Sequence, residues 1–396
     1  MRLSTAQIYD SGVNGLLRNQ YTQYRLQNQM SSGRKVVTPA DDPVAAAQAL
    51  AAEQKMNVNK QFLDNQGNAQ AQLRELESLM SSVGDLLVDL KATWVNAGDG
   101  AYGETQLKSL ATDVRAKYQQ LLGIANNADA QGQYRFAGYQ AGTRPFVESG
   151  GGVTYQGDSG ERLLQVETSR LIPVNYSGRD FFQAIPQGNG VFVMGAGAGN
   201  TGSGIIENGT LASGSTYSGD SYQLTFTSPT TYDLVTNGGA PVSQTFTPGT
   251  PINLGGALVN ISGAPAAGDV FTVEPSREES VFDTLNKFIT TLENGNADAP
   301  EFWNAMLRIG ASLDQAISHT SDSRAVVGTR MKELEDLTSL DSDLAVQYEQ
   351  QITDLVYLTE ADIYRVASEL SKSGMQLEAA RQTYLKVTGL SLFNYI

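Results

Sequence analysis

Two tracks of apolar residues with helical spacing, one toward each end of the chain, constrain the fold most. In the first, apolar side chains recur every three or four residues without a break: Ala69, Leu73, Leu76, Met80, Val83, Leu87, Leu90 and Trp94. This spacing places them on one side of a helix, as in the seam of a coiled coil. Because the segment lies well inside the chain, we interpret this track as packing within the molecule.

The second track lies between residues 352 and 387, in a region from about 300 to 390 that the pattern predicts to be continuously helical. One set is spaced by seven (Val356, Ile363, Leu370, Leu377, Tyr384) and is interleaved with another (Ile352, Thr359, Val366, Ser373, Ala380, Val387). Two polar members make the seam imperfect. A terminal helix with an apolar seam needs a partner, so packing between molecules is at least as well supported as an internal core.

A weaker helix is predicted over residues 5–32, which contain Gly12, Gly15 and many Gln and Asn residues. Its few apolar residues include Ile8, Leu16 and Leu26, which we expect to pack against the second track. Weak helices are stabilised mainly by packing, so this segment should depend on partners. Gly33 suits the end of the helix.

The carboxylates of Asp41 and Asp42 precede a second helix that begins at Pro43. Asp42 is placed to cap this helix, and the missing N–H of a proline costs nothing in the first turn. Acid–base or metal chemistry is the alternative for this pair. Capping accounts for Asp42 and no other carboxylate is near in sequence, so we favour the structural role.

The middle of the chain has a different composition. Residues 138–277 are rich in Gly, Ser, Thr and Pro, and short alternating runs such as 222–226 and 270–273 predict strands between turns. Gly-rich residues 195–204 suggest a division into two lobes. A helix is predicted before this region at 105–129. Another is predicted after it from Ser276, with Glu279 completing a capping box.

The predicted fold class is therefore mainly α with a β-rich insert, in which N- and C-terminal helices pair into a coiled-coil-like rod. Three domains follow from this pattern. Residues 1–42 with 355–396 form an inner terminal-helix domain, residues 43–137 with 278–354 form a helical rod domain, and residues 138–277 form an outer β-rich domain.

Composition excludes several classes of function. The formal net charge is −15, which gives no general attraction to nucleic acid or to an anionic membrane. No run of about 18 apolar residues is present to insert in a membrane. Residues 1–10 lack the apolar core of a signal peptide. Secreted proteins are usually stabilised by disulfides, but this chain has no cysteine. The absence of cysteine suits a protein that is exported unfolded through a narrow channel.

Candidate catalytic or cofactor sites are weak. His319, the single histidine, lies in a polar stretch and cannot by itself build a usual zinc site. Residues 197–202 match the dinucleotide-binding pattern GxGxxG, but the segment that follows is too short and Gly-rich to be the required helix. We therefore predict no enzyme activity, no cofactor and no metal, and a flexible loop at 197–202.

Motifs near both ends resemble the flagellin superfamily. The first is Gln29-Met30-Ser31-Ser32-Gly33-Arg34-Lys35-Val36 followed by Thr38-Pro39-Ala40-Asp41-Asp42-Pro43-Val44. The second is Ser323-Arg324-Ala325-Val326-Val327-Gly328-Thr329-Arg330, with Ser391-Leu392-Phe393-Asn394-Tyr395-Ile396 as the closing residues. Asp42-Pro43-Val44 and the closing residues differ from typical flagellins and are similar to the hook–filament junction members of the superfamily. The resemblance covers about residues 1–140 and 277–396.

The resemblance implies a structural subunit of the bacterial flagellum, located outside the cell and exported without a cleaved signal peptide. It implies four partners: other copies in a ring, the first hook–filament junction protein, flagellin, and an export chaperone at the C-terminal region. We hypothesise that the terminal segments are largely unpaired before assembly. The alternatives are a flagellin that forms the filament itself and, less favoured, a secreted adhesin with a helical stalk and β head.

Overall fold

Long helices at both ends and a β-rich region between them confirm the fold class predicted from the sequence. The computed structural model describes residues 5–98 and 102–389, without the side chains of Thr5, Ala6, Ile8 and residues 387–389. The closing motif 391–396 lies outside the described residues. The helices are α1 (Thr5–Ser32), α2 (Pro43–Ala97), α3 (Glu104–Ala125), α4 (Gly178–Phe182), α5 (Val281–Asn294), α6 (Pro300–Val356) and α7 (Glu360–Gly389).

Within the described residues, the strands form five separate antiparallel groups. The bounds are β1 (Phe146–Ser149), β2 (Gly152–Tyr155), β3 (Leu163–Glu167), β4 (Arg170–Pro173), β5 (Ile185–Pro186), β6 (Phe192–Ala196), β7 (Ile205–Leu211), β8 (Tyr222–Ser228), β9 (Thr231–Thr236), β10 (Val242–Thr245), β11 (Ile252–Leu254), β12 (Ala257–Ser262), β13 (Val270–Pro275) and β14 (Glu278–Glu279). Strands β1 and β2, β3 and β4, and β5 and β14 form two-stranded pairs. The larger sheets have the orders β10-β9-β8-β13-β6 and β11-β12-β7.

Contacts divide the chain into two compact units. One contains the described residues up to Gln66 and those from Asp336 onward, and the other is Gly67–Glu335. Helices α2 and α6 contribute residues to both. The three-domain division proposed above stays a prediction.

In the first unit, α1 packs against α7, and the beginning of α2 packs against the end of α6. Ala49 and Ala52 of α2 share a buried cluster with Ile352 and Val356 of α6. The buried side-chain amide of Gln66 donates a 2.5 Å hydrogen bond to Asp341 Oδ2. Small residues on α2 thus allow close approach to α6, and a polar pair fixes the register between the two helices.

In the second unit, the apolar track of α2 is buried from Ala69 to Leu90, and Trp94 is half-buried. Trp94 Nε1 donates to the carbonyl of Met306 on α6, and Lys91 pairs with Asp314 on the same helix. Because an added Cβ at Gly310 would lie 2.5 Å from the Trp94 ring, this glycine permits the contact.

A cluster of aromatic rings joins the small hairpins to the helices of the second unit. Phe136, Phe146, Phe181, Phe182 and Phe282 are all buried, with neighbouring ring centroids 4.7–5.8 Å apart. Most pairs are edge-to-face or tilted, as aromatic quadrupoles favour. The hairpins are held by this core rather than by continuous sheet pairing.

The two larger sheets form a sandwich with its own core, which we call the outer lobe and define as residues 187–276. Its buried residues include Phe192, Leu224 and Phe271 from one sheet and Val259 and Ile261 from the other. The stretch 195–204, where the sequence suggests a division between lobes, lies inside this sandwich, since it joins β6 to β7.

Two helix boundaries predicted from the sequence are wrong. Helix α5 begins at Val281, and its cap is Ser280, whose hydroxyl accepts from Phe282 N. The predicted capping residues have other partners, since Ser276 Oγ donates to the Gln187 carbonyl and Glu279 lies in β14. The Ser-x-x-Glu pattern therefore matched a short strand just before the true cap.

The second wrong boundary concerns the helix predicted to run from 300 to 390, which is interrupted at residues 357–359. Thr359 and Asp362 form the capping box of α7. Thr359 N donates to Asp362 Oδ2 at 3.3 Å, and Asp362 N donates to Thr359 Oγ1 at 3.2 Å. The carbonyl of Val356 accepts from Lys35 N, so main-chain atoms outside the helix end α6 at this point.

Candidate assembly surfaces

The pairing of α1 with α7 brings the two ends of the chain together in an antiparallel arrangement. Near one end, the rings of Tyr9 and Tyr384 are 5.6 Å apart. Their hydrogen bond, followed by partial burial, raises the pKa of the Tyr384 hydroxyl above its usual value. Farther along, an added Cβ at Gly374 would stand 3.9 Å from Gln23 Nε2. Gly12 on α1 thus faces Tyr384 of α7, and Gly374 on α7 faces Gln23 of α1.

At the other end of this pair, the turn after α1 bonds to the segment between α6 and α7. Leu358 N donates to the Gly33 carbonyl at 2.9 Å, and Lys35 N donates to the Val356 carbonyl at 2.8 Å. Gly33 has a φ of +67°, a left-handed conformation that glycine adopts without strain. The Arg34 guanidinium lies over the Tyr357 ring, 5.5 Å from its centroid.

The seam residues proposed from the sequence fall into two groups in the structure. Ile352 and Val356 belong to α6 and pack on α2, whereas the others on this side belong to α7. In α7 and α1, Val366, Leu377 and Leu26 are buried, Leu16, Leu370 and Tyr384 are half-buried, and Ile363 is 42% exposed. The side chains of Ile8 and Val387 lie outside the described residues. Their role as an assembly seam stays a prediction.

Asp41 and Asp42 organise the start of α2 in different ways. Asp42 Oδ1 accepts from Val44 N at 3.1 Å and from Ala45 N at 2.9 Å, which caps the helix that Pro43 begins. Asp41 Oδ2 accepts from the amides of Val37 and Thr38. Burial raises the pKa of Asp41, but these hydrogen bonds and the charge of Arg25 outweigh it and lower the pKa overall.

Arg324 and Gly328, the other motif residues, lie in the second unit. Arg324 Nε and Nη2 both donate to Glu77 Oε1, at 3.1 and 2.6 Å, which links α6 to α2. Gly328 has open space where a Cβ would be. The structure shows an inter-helix tie for Arg324 and no packing reason for Gly328.

Sequence reasoning missed a second apolar surface on the terminal helices. Leu17, Tyr21 and Tyr24 of α1 are 56%, 65% and 64% exposed, and their spacing of four and three residues places them on one face. That face is opposite to the side that buries Leu26. On α7, Tyr364 and Met375 are 77% and 66% exposed. The same helical period that predicts a buried seam also identifies this outward stripe.

The other candidate sites have structural explanations. The amides of Thr201 and Gly202 in the GxGxxG segment donate to the carboxylate of Asp269, so the chain's own side chain occupies the loop. The half-buried His319 bonds through Nε2 to the backbone carbonyl of Asp180. Among the described residues, no group of three or more acidic, His or Cys side chains is placed to hold a metal, and no helix is long and apolar enough to cross a membrane.

Comparisons with known proteins agree with this architecture. The family model for the bacterial flagellin N-terminal helical region matches residues 3–141. Flagellar hook-associated protein 3 of Salmonella typhimurium is 25% identical over 397 residues, and that of Escherichia coli is 26% identical over 393; each match covers 99% of both chains. The crystal structure of the flagellar junction protein FlgL from Legionella pneumophila superposes with a TM-score of 0.71 at 27% identity, covering 78% of this chain and all of that one.

Paired terminal helices with a β-rich region between them, together with these similarities, define the chain as a flagellin-like structural subunit of the bacterial flagellum, an extracellular appendage. The full-length similarity to hook-associated protein 3 supports the role of a junction subunit within that class. Its relatives are structural flagellar proteins, and a junction role requires association with other flagellar components.

Proposed function

We propose that this chain forms a ring of identical subunits between the hook and the filament. On the hook side the ring would contact the first junction protein, and on the other side it would contact flagellin. The hook-associated names of the two bacterial relatives support this position. The observation that carries the proposal is the α1–α7 pair, which presents apolar side chains on its outward faces as well as between its helices.

The outward faces provide the assembly contacts in this proposal. Neighbouring subunits would cover Leu17, Tyr21 and Tyr24 on α1, and Tyr364 and Met375 on α7. Burying one large apolar side chain stabilises an interface by roughly 1.5–3 kcal/mol before ordering costs are subtracted. Three such side chains on α1 and two on α7 would together favour association when many copies close a ring.

The composition of the chain and the apolar residues of α7 bear on export and chaperone binding. We propose export without a cleaved signal peptide, since a chain without cysteines forms no disulfides that would resist passage in an unfolded state. A dedicated chaperone at the C-terminal region would shield the apolar residues of α7 before assembly. We also propose that the chain has no catalytic role, because the candidate sites are occupied by structural hydrogen bonds.

Complementation of a strain lacking this gene tests the proposal. The deletion should leave hooks without filaments and release flagellin into the medium, and the wild-type chain should restore filaments. Tyr21→Asp combined with Tyr24→Asp should fail to restore them while the protein is still produced. Gln20→Asp, which adds a charge to an exposed site on the same helix, is the matched control and should restore filaments.

Two outcomes would overturn the proposal. Normal filaments on cells carrying the double Tyr variant would show that this face makes no necessary contact. Purified chain that polymerises alone into long filaments would support a flagellin role instead of a junction role.

A further inference from the structure

The outer lobe is attached to the rest of its unit by a narrow connection. Its core contains buried residues only from Phe192 to Val273. The chain enters and leaves through adjacent segments, where β5 pairs with β14, Gln187 N donates to the Arg277 carbonyl, and Ser276 N donates to the Val191 carbonyl. A lobe with its own core and two neighbouring crossings is the usual construction of a hinged domain.

Away from this connection, the side chain of Asn304 on α6 is hydrogen-bonded to the lobe. Its Oδ1 accepts from Ile206 N at 2.8 Å, and its Nδ2 donates to the Gly204 carbonyl at 3.1 Å. Both partners are main-chain groups at the start of β7. Asn304 therefore provides a fixed point between the lobe and α6, about which the lobe could turn.

Beside this point, a cleft of about 480 Å³ separates the lobe from α5 and α6. Thr272 and Glu274 of β13 line the lobe side, and Lys287 and Arg308 line the helical side. Lys287 is already paired with Glu279. Among the described residues, the side chains of Arg308 and Glu274 make no hydrogen bond or ion pair, although they carry opposite charges in one cleft.

Both groups lie beside the pair of strands β6 and β13. Arg308 Nη1 stands 3.9 Å from where a Cβ on Gly195 would be. Gly195 is opposite Thr272 in the sheet, and Val193 is opposite Glu274. Thr272 and Glu274 share one face of β13, about 7 Å apart along the strand. A small rotation of the lobe that moves β13 by a few ångströms along its own direction would bring the Glu274 carboxylate to Arg308.

We propose that the outer lobe is a hinged element that closes its cleft by pairing Glu274 with Arg308. The β5–β14 connection is the hinge, and Asn304 is the pivot retained in both positions. The open position is the one described here. In the closed position the Glu274 carboxylate pairs with the Arg308 guanidinium. The lobe changes its angle to the helices while the hydrogen bonds of Asn304 keep it attached to α6.

Distances between spin labels on the two sides of the cleft test this proposal. The cysteine-free chain allows labels at Ser243→Cys on the lobe and Asp322→Cys on α6, both exposed. Two distance populations are expected in low salt. Arg308→Gln should reduce the closed population by about two- to fivefold, as should about 0.5 M salt, because partly exposed ion pairs are weak and screened.

A charge exchange distinguishes pairing from a general loss of packing. Glu274→Arg with Arg308→Glu in one chain should restore the closed population, and Arg144→Gln, an exposed arginine outside the cleft, should leave it unchanged. Asn304→Ala should broaden both populations. A single narrow distance that Arg308→Gln does not shift, or a charge exchange that restores nothing, would refute the hinge. Filament formation is not measured, so failure here leaves the junction role standing.

Discussion

The ring of Tyr384 lies against Gly12, where an added Cβ would stand 3.3 Å from Tyr384 Cδ2. This contact joins the beginning of α1 to the last part of α7. A glycine within a helix normally costs about 1 kcal/mol relative to alanine, so its place here is explained by the ring rather than by helix propensity.

Gly12→Leu should therefore separate the helix ends. The larger side chain would displace Tyr384, and hydrogen exchange in the last three turns of α7 should become faster. Gly15→Leu is the matched control, because no atom lies within 4 Å of a Cβ at that position. It should slow exchange in α1 by favouring the helix. Equal effects of both substitutions would contradict the packing role of Gly12.

Before assembly, α1 and α7 should exchange amide hydrogens much faster than α2 in soluble monomer. Their pairing in one chain leaves Tyr21, Tyr24 and Tyr364 exposed, and α1 has few buried side chains, so opening it exposes little additional apolar surface. Mass spectrometry of exchanged peptides would measure this. Protection of both helices equal to that of α2 would show a finished bundle and refute the hypothesis of folding on assembly.

Asp269→Ala should destabilise the outer lobe selectively. The buried carboxylate accepts hydrogen bonds from Thr201 N at 2.7 Å and Ala266 N at 2.8 Å, in addition to Gly202 N. Removing it would leave partly buried amides without acceptors, at about 1–3 kcal/mol each. Thermal unfolding followed by tyrosine fluorescence should show an earlier transition, whereas Asp233→Ala on β9 should not. An unchanged transition for Asp269→Ala would mean that water replaces the carboxylate.

The start of α7 should lose stability in acid. Hydrogen bonds from Arg365 and Thr359 lower the pKa of Asp362 to about 2, against roughly 3.9 in an unfolded chain. Because the folded pKa is the lower one, the stabilisation is present above about pH 4 and is lost as pH falls toward about 2. Protection of the amides at residues 360–366, which is the slowing of exchange relative to the intrinsic rate at the same pH, should fall over that window in the wild type. In Asp362→Asn protection should be lower throughout and should not change over the window, and a protection profile identical to that of the wild type would exclude Asp362 as the cause.

The sequence predicted those structural elements that are determined by residues near each other in the chain. Asp42-Pro43 marked the start of α2, and apolar spacing identified the buried stripe from Ala69 to Leu90. The interruption after Val356 was missed because the heptad spacing continues through it, while its cause includes main-chain bonds to Lys35, more than 300 residues away. The capping box at Thr359 and Asp362 was a readable local signal for the same boundary.

The candidate surfaces were only partly predictable for a similar reason. Helical periodicity reveals which residues share a face, but not which of two apolar faces the rest of the chain covers. For α1 the covered side contains Leu26, and the side with Tyr21 and Tyr24 stays exposed. Asp269 could not be assigned to the Gly-rich loop either, since the two are brought together by the folding of the outer lobe and by no pattern in the sequence.

Two bonds between the turn after α1 and the segment that ends α6 join main-chain atoms, from Lys35 N to the Val356 carbonyl and from Leu358 N to the Gly33 carbonyl. Substituting Lys35, Val356 or Leu358 leaves donor and acceptor in place unless the new residue is proline, whereas Gly33 is needed for its left-handed conformation. Inserting or deleting one residue between Gly33 and Pro43, in contrast, would shift the alignment of all that follows. Apart from Gly33, the positions that form these main-chain bonds should therefore tolerate changes of residue type far better than changes of length.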